Sequence, residues 1–127
     1  MATRSFIGIL NSNGSVTGVY CHWDGYPDGV GKVLAEHYTD PFKVIELLEL
    51  GGLSSLGPRI APEPGEAHSF NKPAPGVTVA YGRDRKDAPE PRAHTFQNLE
   101  LCRRDVRSIF SVEYTYVFAN GEWNTYR

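Results

Sequence analysis

Alternating hydrophobic and polar residues predict two β-hairpins, one near each end of the chain. The first joins Ser5–Leu10 to Val16–Asp24 through a turn rich in asparagine and glycine. The second joins Val112–Phe118 to Glu122–Tyr126. Its Asn120-Gly121 pair favours the tight turn in which both central residues take positive φ. We therefore expect a sheet that contains strands from both ends of the sequence.

Apolar residues recur with the helical period in the middle of the chain. A first helix should follow Asp28, which we assign as its N-cap. A second begins at Asp40-Pro41, with the aspartate as cap and the proline in the first helical position, and ends at Gly51-Gly52. A short helix or turn is expected at Leu99–Arg107. The side chains that should form the buried face of the second helix are Val44, Ile45, Leu47 and Leu48.

The remaining segments are mostly non-periodic and read as loops. Residues 57–76 contain five prolines, and 82–92 are charged and interrupted by proline. Val77–Tyr81 is a short strand between these loops. Because the strands occur in hairpins and do not alternate with helices, the order favours an α+β fold. We expect one domain over residues 1–127, with a mainly antiparallel sheet of about five strands covered by two helices.

Composition narrows the function classes without naming one. The chain has 127 residues and a formal net charge of −2, which argues against non-specific binding to duplex nucleic acid or to an anionic membrane. No apolar run approaches the length of a membrane span, and the first residues lack the pattern of a signal peptide. Two cysteines are too few for a disulfide framework or a four-ligand zinc site. We read them as reduced thiols in a cytoplasmic protein.

The end of the second strand is the first candidate ligand site. Its two-residue period separates an apolar face (Val19, Cys21, Trp23), expected in the core, from a face with Tyr20, His22 and Asp24 that should meet water or a ligand. An imidazole beside a carboxylate binds polar groups or acts as a base, and the rings of Trp23 and Tyr26 can stack on a nucleobase. The structural alternative is a strand end with a capped turn.

The segment after Val77–Tyr81 is the second candidate. If the strand continues, Tyr81, Arg83 and Arg85 point to one side, where two guanidiniums suit a phosphate. In the proline-rich loop, His68 and Phe70 would form a lid. Seven of the thirteen basic residues lie between positions 83 and 107, so a local positive patch is expected. The alternatives are surface ion pairs for the arginines and ordinary loop packing for Phe70.

Five short segments carry a resemblance: Arg4-Ser5, Tyr-Cys-His-Trp-Asp-Gly-Tyr at 20–26, Glu36-His37-Tyr38, His68-Ser69-Phe70, and Gly-Val-Thr-Val-Ala-Tyr-Gly-Arg-Asp-Arg at 76–85. In these segments the chain resembles a family of small proteins encoded by tailed phages and prophages. The resemblance implies an accessory protein that counters host defence. It assigns no catalytic residue to this chain.

Three functions remain open on this basis. The first is a protein that sequesters a small phosphorylated nucleotide-derived immune signal through the nine residues named above: His22, Trp23, Asp24, Tyr26, His68, Phe70, Tyr81, Arg83 and Arg85. The second is a nucleotide hydrolase with His22 as base and Asp24 or Asp84 orienting it, and the third is an inhibitor that docks on a host defence protein. The first requires no catalytic group, metal or cofactor. A homo-oligomer is compatible with each of them.

Overall fold

A computed structural model describes residues 2–85 and 92–127 of the chain. Seven β-strands lie in these ranges and belong to one sheet. They are β1 (Ser5–Leu10), β2 (Val16–Cys21), β3 (Leu53–Ser55), β4 (Val79–Ala80), β5 (His94–Phe96), β6 (Tyr114–Ala119) and β7 (Glu122–Tyr126). The helices are α1 (Lys32–His37), which continues from a π-helical turn at Pro27–Gly31, α2 (Pro41–Leu48) and α3 (Leu99–Ile109).

The sheet runs in the order β4-β3-β2-β1-β6-β7. Strand β5 pairs with the beginning of β2, on the same edge that meets β3 at its other end. The pairs β1–β6 and β2–β3 are parallel, and the other four are antiparallel. The α+β class is confirmed. The sheet, however, is mixed and has seven strands, so the expectation of a mainly antiparallel sheet with about five strands is wrong in detail.

One face of the sheet packs against α1 and α2. Ile7 of β1 and Val19 of β2 point to this side, and Leu34 and Leu47 of the two helices cover them with no exposed surface. Tyr38, just after α1, is fully buried here, and its hydroxyl donates to the Gly57 carbonyl at 2.7 Å. The expected helix pair is therefore present on one face.

The opposite face is covered by α3, which the sequence interpretation did not include among the covering helices. Cys102 and Val106 on its inner side pack against Phe6, Val16 and Val117 of the sheet. The alternation of β1 accounts for both layers, since Phe6 and its neighbour Ile7 point to opposite sides. The sheet thus lies between helices, and each of its faces carries its own apolar cluster.

Several local predictions can be compared directly with the backbone. The Asp40 side chain accepts a hydrogen bond from the Phe42 N–H at 2.9 Å, which confirms it as the N-cap of α2. Gly51 has a φ of 78°, as the predicted left-handed helix end requires. Asp28 is not an N-cap, because the helical segment begins one residue earlier with Pro27. Ile45 is substantially exposed, so its assignment to the buried face of α2 is also wrong.

Candidate functional site

The Tyr-Cys-His-Trp-Asp-Gly-Tyr motif lies where β2 ends and the chain turns towards α1. Regular strand ends at Cys21, so the predicted strand to Asp24 is too long. The N–H groups of His22 and Trp23 donate to the carbonyls of Leu53 and Ser54, each at 3.0 Å. Trp23 is 45% exposed, so its predicted place in the core is wrong. Its ring instead meets the His22 ring edge-on, with centroids 4.7 Å apart.

His22 pairs with a tyrosine of its own strand. The Tyr20 hydroxyl lies 2.6 Å from Nδ1 of His22, so these two side chains form a hydrogen-bonded pair on one face of the sheet. Burial, followed by the nearby Arg4 guanidinium, lowers the pKa of the His22 imidazole below its ordinary value. The ring is therefore neutral at physiological pH and acts as a hydrogen-bonding group of a largely aromatic surface.

Asp24 and Tyr26 interact with each other rather than with His22. The Tyr26 hydroxyl donates to Asp24 Oδ1 at 3.2 Å, and Tyr26 is 42% exposed. Asp24 has a φ of 58°, in the left-handed region, and its carbonyl accepts the Val30 N–H at 2.8 Å. This end of the motif therefore acts as a turn that holds the beginning of the π-helical segment, and the predicted His22–Asp24 combination is not formed.

An open cleft of about 320 Å³ lies on the α3 side of the sheet. We call it the aromatic cleft, and its lining comprises Tyr20, Gly52, Tyr81, Arg92, His94, Ile109 and Phe110. The Phe110 ring stands 5.8 Å from the Tyr20 ring and 4.9 Å from the His94 ring, measured between centroids. The volume is at the small end of the range for small-molecule sites. Aromatic faces and a guanidinium therefore border one concave surface.

Tyr81 connects the aromatic cleft to the proline-rich loop. The Phe70 ring lies 5.8 Å from the Tyr81 ring, and the Arg85 guanidinium lies over both rings, 5.7 Å from Phe70 and 4.8 Å from Tyr81. Burial raises the pKa of the Tyr81 phenol, although Ser54 and Arg85 oppose this shift. The phenol is therefore a neutral hydrogen-bond donor at physiological pH. Three of the nine predicted site residues meet here.

Arg83 and Arg85 do not point to one side as predicted. The strand ends at Ala80, and Tyr81–Arg85 form a π-helical turn. The Arg83 guanidinium donates to the carbonyls of Ile60 and Thr78 at 2.6 and 2.7 Å, and to both oxygens of Asp84. Arg83 thus braces the loop against the sheet, whereas Arg85 lies over aromatic rings. The prediction that the two arginines lie on one strand face and bind a phosphate together is therefore wrong.

His68 contacts Asp84 rather than lying over the aromatic cleft. Its Nδ1 accepts the Ala74 N–H at 2.9 Å, and its Nε2 lies 3.1 Å from Asp84 Oδ2 without the alignment of a hydrogen bond. The two side chains are only 3% and 5% exposed. Together with Pro62, Ser69 and Arg83 they line a cleft of about 420 Å³. This buried cluster fixes both ends of the segment that carries Phe70.

The Asp84 carboxylate is held in its charged form. Burial acts to raise its pKa, but hydrogen bonds from the Arg83 guanidinium and the Ala80 N–H, together with the close His68 imidazole, outweigh burial, and the net pKa is lowered. The Ala80 N–H donates to Asp84 Oδ2 at 2.8 Å. One carboxylate thus joins β4, the π-helical turn and the proline-rich loop.

We expect acid to weaken this junction. Because the pKa of Asp84 is lower in the folded than in the unfolded chain, its stabilising contribution is complete above the unfolded value of about 4 and is lost as the pH falls through the folded value. Urea midpoints measured from pH 6 down to pH 2 should fall below about pH 4. An Asp84→Asn variant should show a shallower fall over that interval. Parallel curves for the two proteins would contradict this role.

Sequence reasoning missed several residues of the aromatic cleft. In the sequence, Tyr20 is distinguished only by sharing a strand face with His22, and His94 and Phe110 carry no local motif. Strand β5, which contains His94, lies just after residues outside the described ranges and has no alternation of its own. The face assignment of β2, which grouped Tyr20 with His22, was the one signal that pointed towards this surface. The structure brings Tyr20, His22, Tyr81, Phe70 and Arg85 into one neighbourhood.

Comparisons with known proteins give no family for this chain. It has no significant match to a protein-family model, to a curated protein or to a solved structure. Within residues 2–85 and 92–127, no group of three or more histidine, cysteine, aspartate or glutamate side chains is arranged to hold a metal ion. No helix in that part of the chain is long and apolar enough to cross a bilayer.

Proposed function

We propose that this protein binds and sequesters a small phosphorylated, nucleotide-derived molecule in the aromatic cleft. The observation that carries the proposal is the position of Tyr81, which lines the cleft and at the same time contacts the Phe70 ring and the Arg85 guanidinium. A nucleobase stacks on aromatic faces whatever its hydrogen-bonding edges, and alanine replacement of such a ring costs about 1–3 kcal/mol per base. Guanidiniums at the margin of the cleft can bind the phosphate group of the ligand.

The distribution of charge supports an anionic ligand. Arg92 lines the cleft, and Arg85 lies over the Tyr81 ring next to it. No carboxylate belongs to the described lining, although the chain as a whole carries a formal net charge of −2. The neutral phenol of Tyr81 offers a hydrogen-bond donor to sugar or phosphate oxygens.

The hydrogen-bond partners of the His22 imidazole favour sequestration over hydrolysis. A general base is normally oriented by a third group, often a carboxylate. His22 instead pairs with the Tyr20 hydroxyl, and Asp24 accepts a hydrogen bond from Tyr26. The resemblance to phage accessory proteins agrees with a protein that holds an immune signal without converting it. Phe70, on the segment fixed by His68, would cover the bound molecule.

Thermal unfolding with a panel of cyclic dinucleotides and cyclic ADP-ribose isomers tests the proposal. At a ligand concentration of about one hundred times Kd, binding should add about 2.7 kcal/mol and raise Tm by about 10 °C. The ligand recovered after heating should be chemically unchanged by chromatography. A converted product would instead support the hydrolase, and a panel without any Tm shift would rule out this class of ligand.

Variants assign the binding to the cleft. Tyr81→Ala should lower the ligand affinity about tenfold or more. Tyr81→Phe keeps the ring and should bind the ligand nearly as well as the parent protein does. Phe42→Ala removes an exposed ring on α2 and serves as the matched control. Tyr26→Ala tests whether the turn motif takes part in binding, and this variant should have the same ligand affinity as the parent protein. Equal affinity of Tyr81→Ala and the parent protein would place the ligand elsewhere.

A further inference from the structure

A second concave surface, distinct from the aromatic cleft, lies along α3. It encloses about 570 Å³, and its lining comprises Leu99, Glu100, Arg103, Arg104, Arg107 and Arg127. We call it the arginine groove. It shares no lining residue with the aromatic cleft. Four of its six residues are arginines, in a chain whose formal net charge is −2.

The helix places these arginines together. Arg103 and Arg107 are four residues apart, so they occupy the same face about 6 Å apart along the axis, and Arg104 is three residues from Arg107. The inner face of α3 is taken by Cys102 and Val106 in the core. Like charges at this spacing repel one another, which an anion bound between them would relieve.

Two of the guanidiniums are stacked on aromatic rings of the neighbouring strands. Arg103 lies 4.4 Å from the ring centroid of Tyr126 in β7, and Arg127 lies 5.2 Å from that of Tyr114 in β6. Stacking engages the flat face of a guanidinium and leaves its N–H donors at the edge, where they can reach an acceptor in the same plane. These side chains are thereby partly ordered before a ligand arrives.

Acidic neighbours neutralise only part of this charge. Asp105 pairs with Arg104 at 2.8 Å, and Glu100 lies at the N-terminal end of the groove. Arg103, Arg107 and Arg127 have no carboxylate partner within ion-pair distance among the described residues. The cationic part of the groove therefore extends from the middle of α3 to its C-terminal end.

We propose that the arginine groove binds an oligophosphate, a chain of linked phosphate groups. Guanidiniums bind phosphate oxygens through pairs of N–H donors, and several of them spread over one helical turn fit a chain of phosphates better than a single ion. Inorganic polyphosphate and the phosphate chain of a nucleoside triphosphate share this chemistry. This site goes beyond the proposed function and is independent of the aromatic cleft.

Calorimetric titration of the intact protein with sodium tripolyphosphate, ATP and orthophosphate tests the proposal. Tripolyphosphate should bind, and its affinity should fall as salt is raised, because the contacts are ionic. Tighter binding of tripolyphosphate than of ATP would indicate a free oligophosphate, and the reverse a nucleotide, and either result supports the site. Absence of tripolyphosphate binding, or equal binding of orthophosphate, would overturn it.

The variant Arg103→Gln/Arg107→Gln should have an affinity for tripolyphosphate that is lower by about a hundredfold, or about tenfold for each guanidinium removed. A matched control, Lys32→Gln/Lys72→Gln, removes the same charge from exposed positions elsewhere and should bind like the parent. An equal loss in both would show general charge attraction and overturn the site. The arginine variant should keep its Tm and any nucleotide response that depends on Tyr81, so this proposal and the proposed function fail separately.

Discussion

Replacing Asp84 by asparagine is expected to lower the free energy of unfolding by roughly 3 kcal/mol, because it leaves a partly buried guanidinium and a buried imidazole without their carboxylate. The Asp84 side chain is 5% exposed and accepts hydrogen bonds from Arg83 and from the Ala80 N–H. The asparagine side chain has almost the same shape but turns an N–H₂ group towards one of these donors. Urea unfolding at neutral pH measures the difference.

Asp105→Asn is the matched control for this substitution. Asp105 also pairs with an arginine at 2.8 Å, but both side chains are much more exposed, so the same chemical change should cost no more than about 1 kcal/mol. The comparison separates the loss of a buried junction from the loss of any arginine–aspartate pair. Equal effects of the two substitutions would show that burial of Asp84 contributes nothing special.

Gly29→Ala is expected to destabilise the protein by roughly 2–3 kcal/mol, because the added methyl group has no room. A Cβ at Gly29 would lie 2.3 Å from the Asp24 carbonyl oxygen, which is backbone and is held by the Val30 N–H. Either the left-handed turn at Asp24 or the beginning of the π-helical segment would have to shift. Chemical denaturation gives the stability, and near-ultraviolet circular dichroism reports changes in the packing of the aromatic side chains, Trp23 among them.

Gly121→Ala distinguishes crowding from backbone strain. A Cβ at Gly121 meets nothing within 4 Å, but its φ of 79° is unfavourable for alanine, so a loss of about 1 kcal/mol is expected. Gly29 does not have positive φ, so its larger effect would come from contact alone. A Gly29→Ala variant as stable as the parent would show that the motif tolerates movement.

Local patterns predicted the parts of the fold that depend on neighbouring residues. The Asn120-Gly121 pair predicts the terminal hairpin, where φ is 54° and 79°, and Asp40 predicts the beginning of α2. Strands β3 and β4 have only three and two residues, too few for an alternating pattern to appear. Their pairing depends on contacts between distant segments, and so does the parallel pairing of β1 with β6.

The kinds of residue in the candidate site could be predicted from the sequence, but which of them lie together could not. Tyr81, Arg85 and Phe70 were all named from the sequence and come together in the structure. Arg83 was misjudged because a period of two was assumed where the chain coils into a π-helical turn. The contact of His68 with Asp84 joins residues 16 positions apart in an irregular segment, where no periodicity relates one side chain to another.

The parallel pairing of β1 with β6 has a consequence for how this chain acquires its structure. Ser5 is opposite Tyr114, so the middle of the sheet is complete only after β1 and β6, which are far apart in the sequence, have paired. Closing so large a loop is slow relative to forming local turns, so the edge of β1 that faces β6 stays unpaired after the hairpin with β2 has formed. Refolding should therefore take milliseconds to seconds, with the hairpins forming ahead of the β1–β6 ladder.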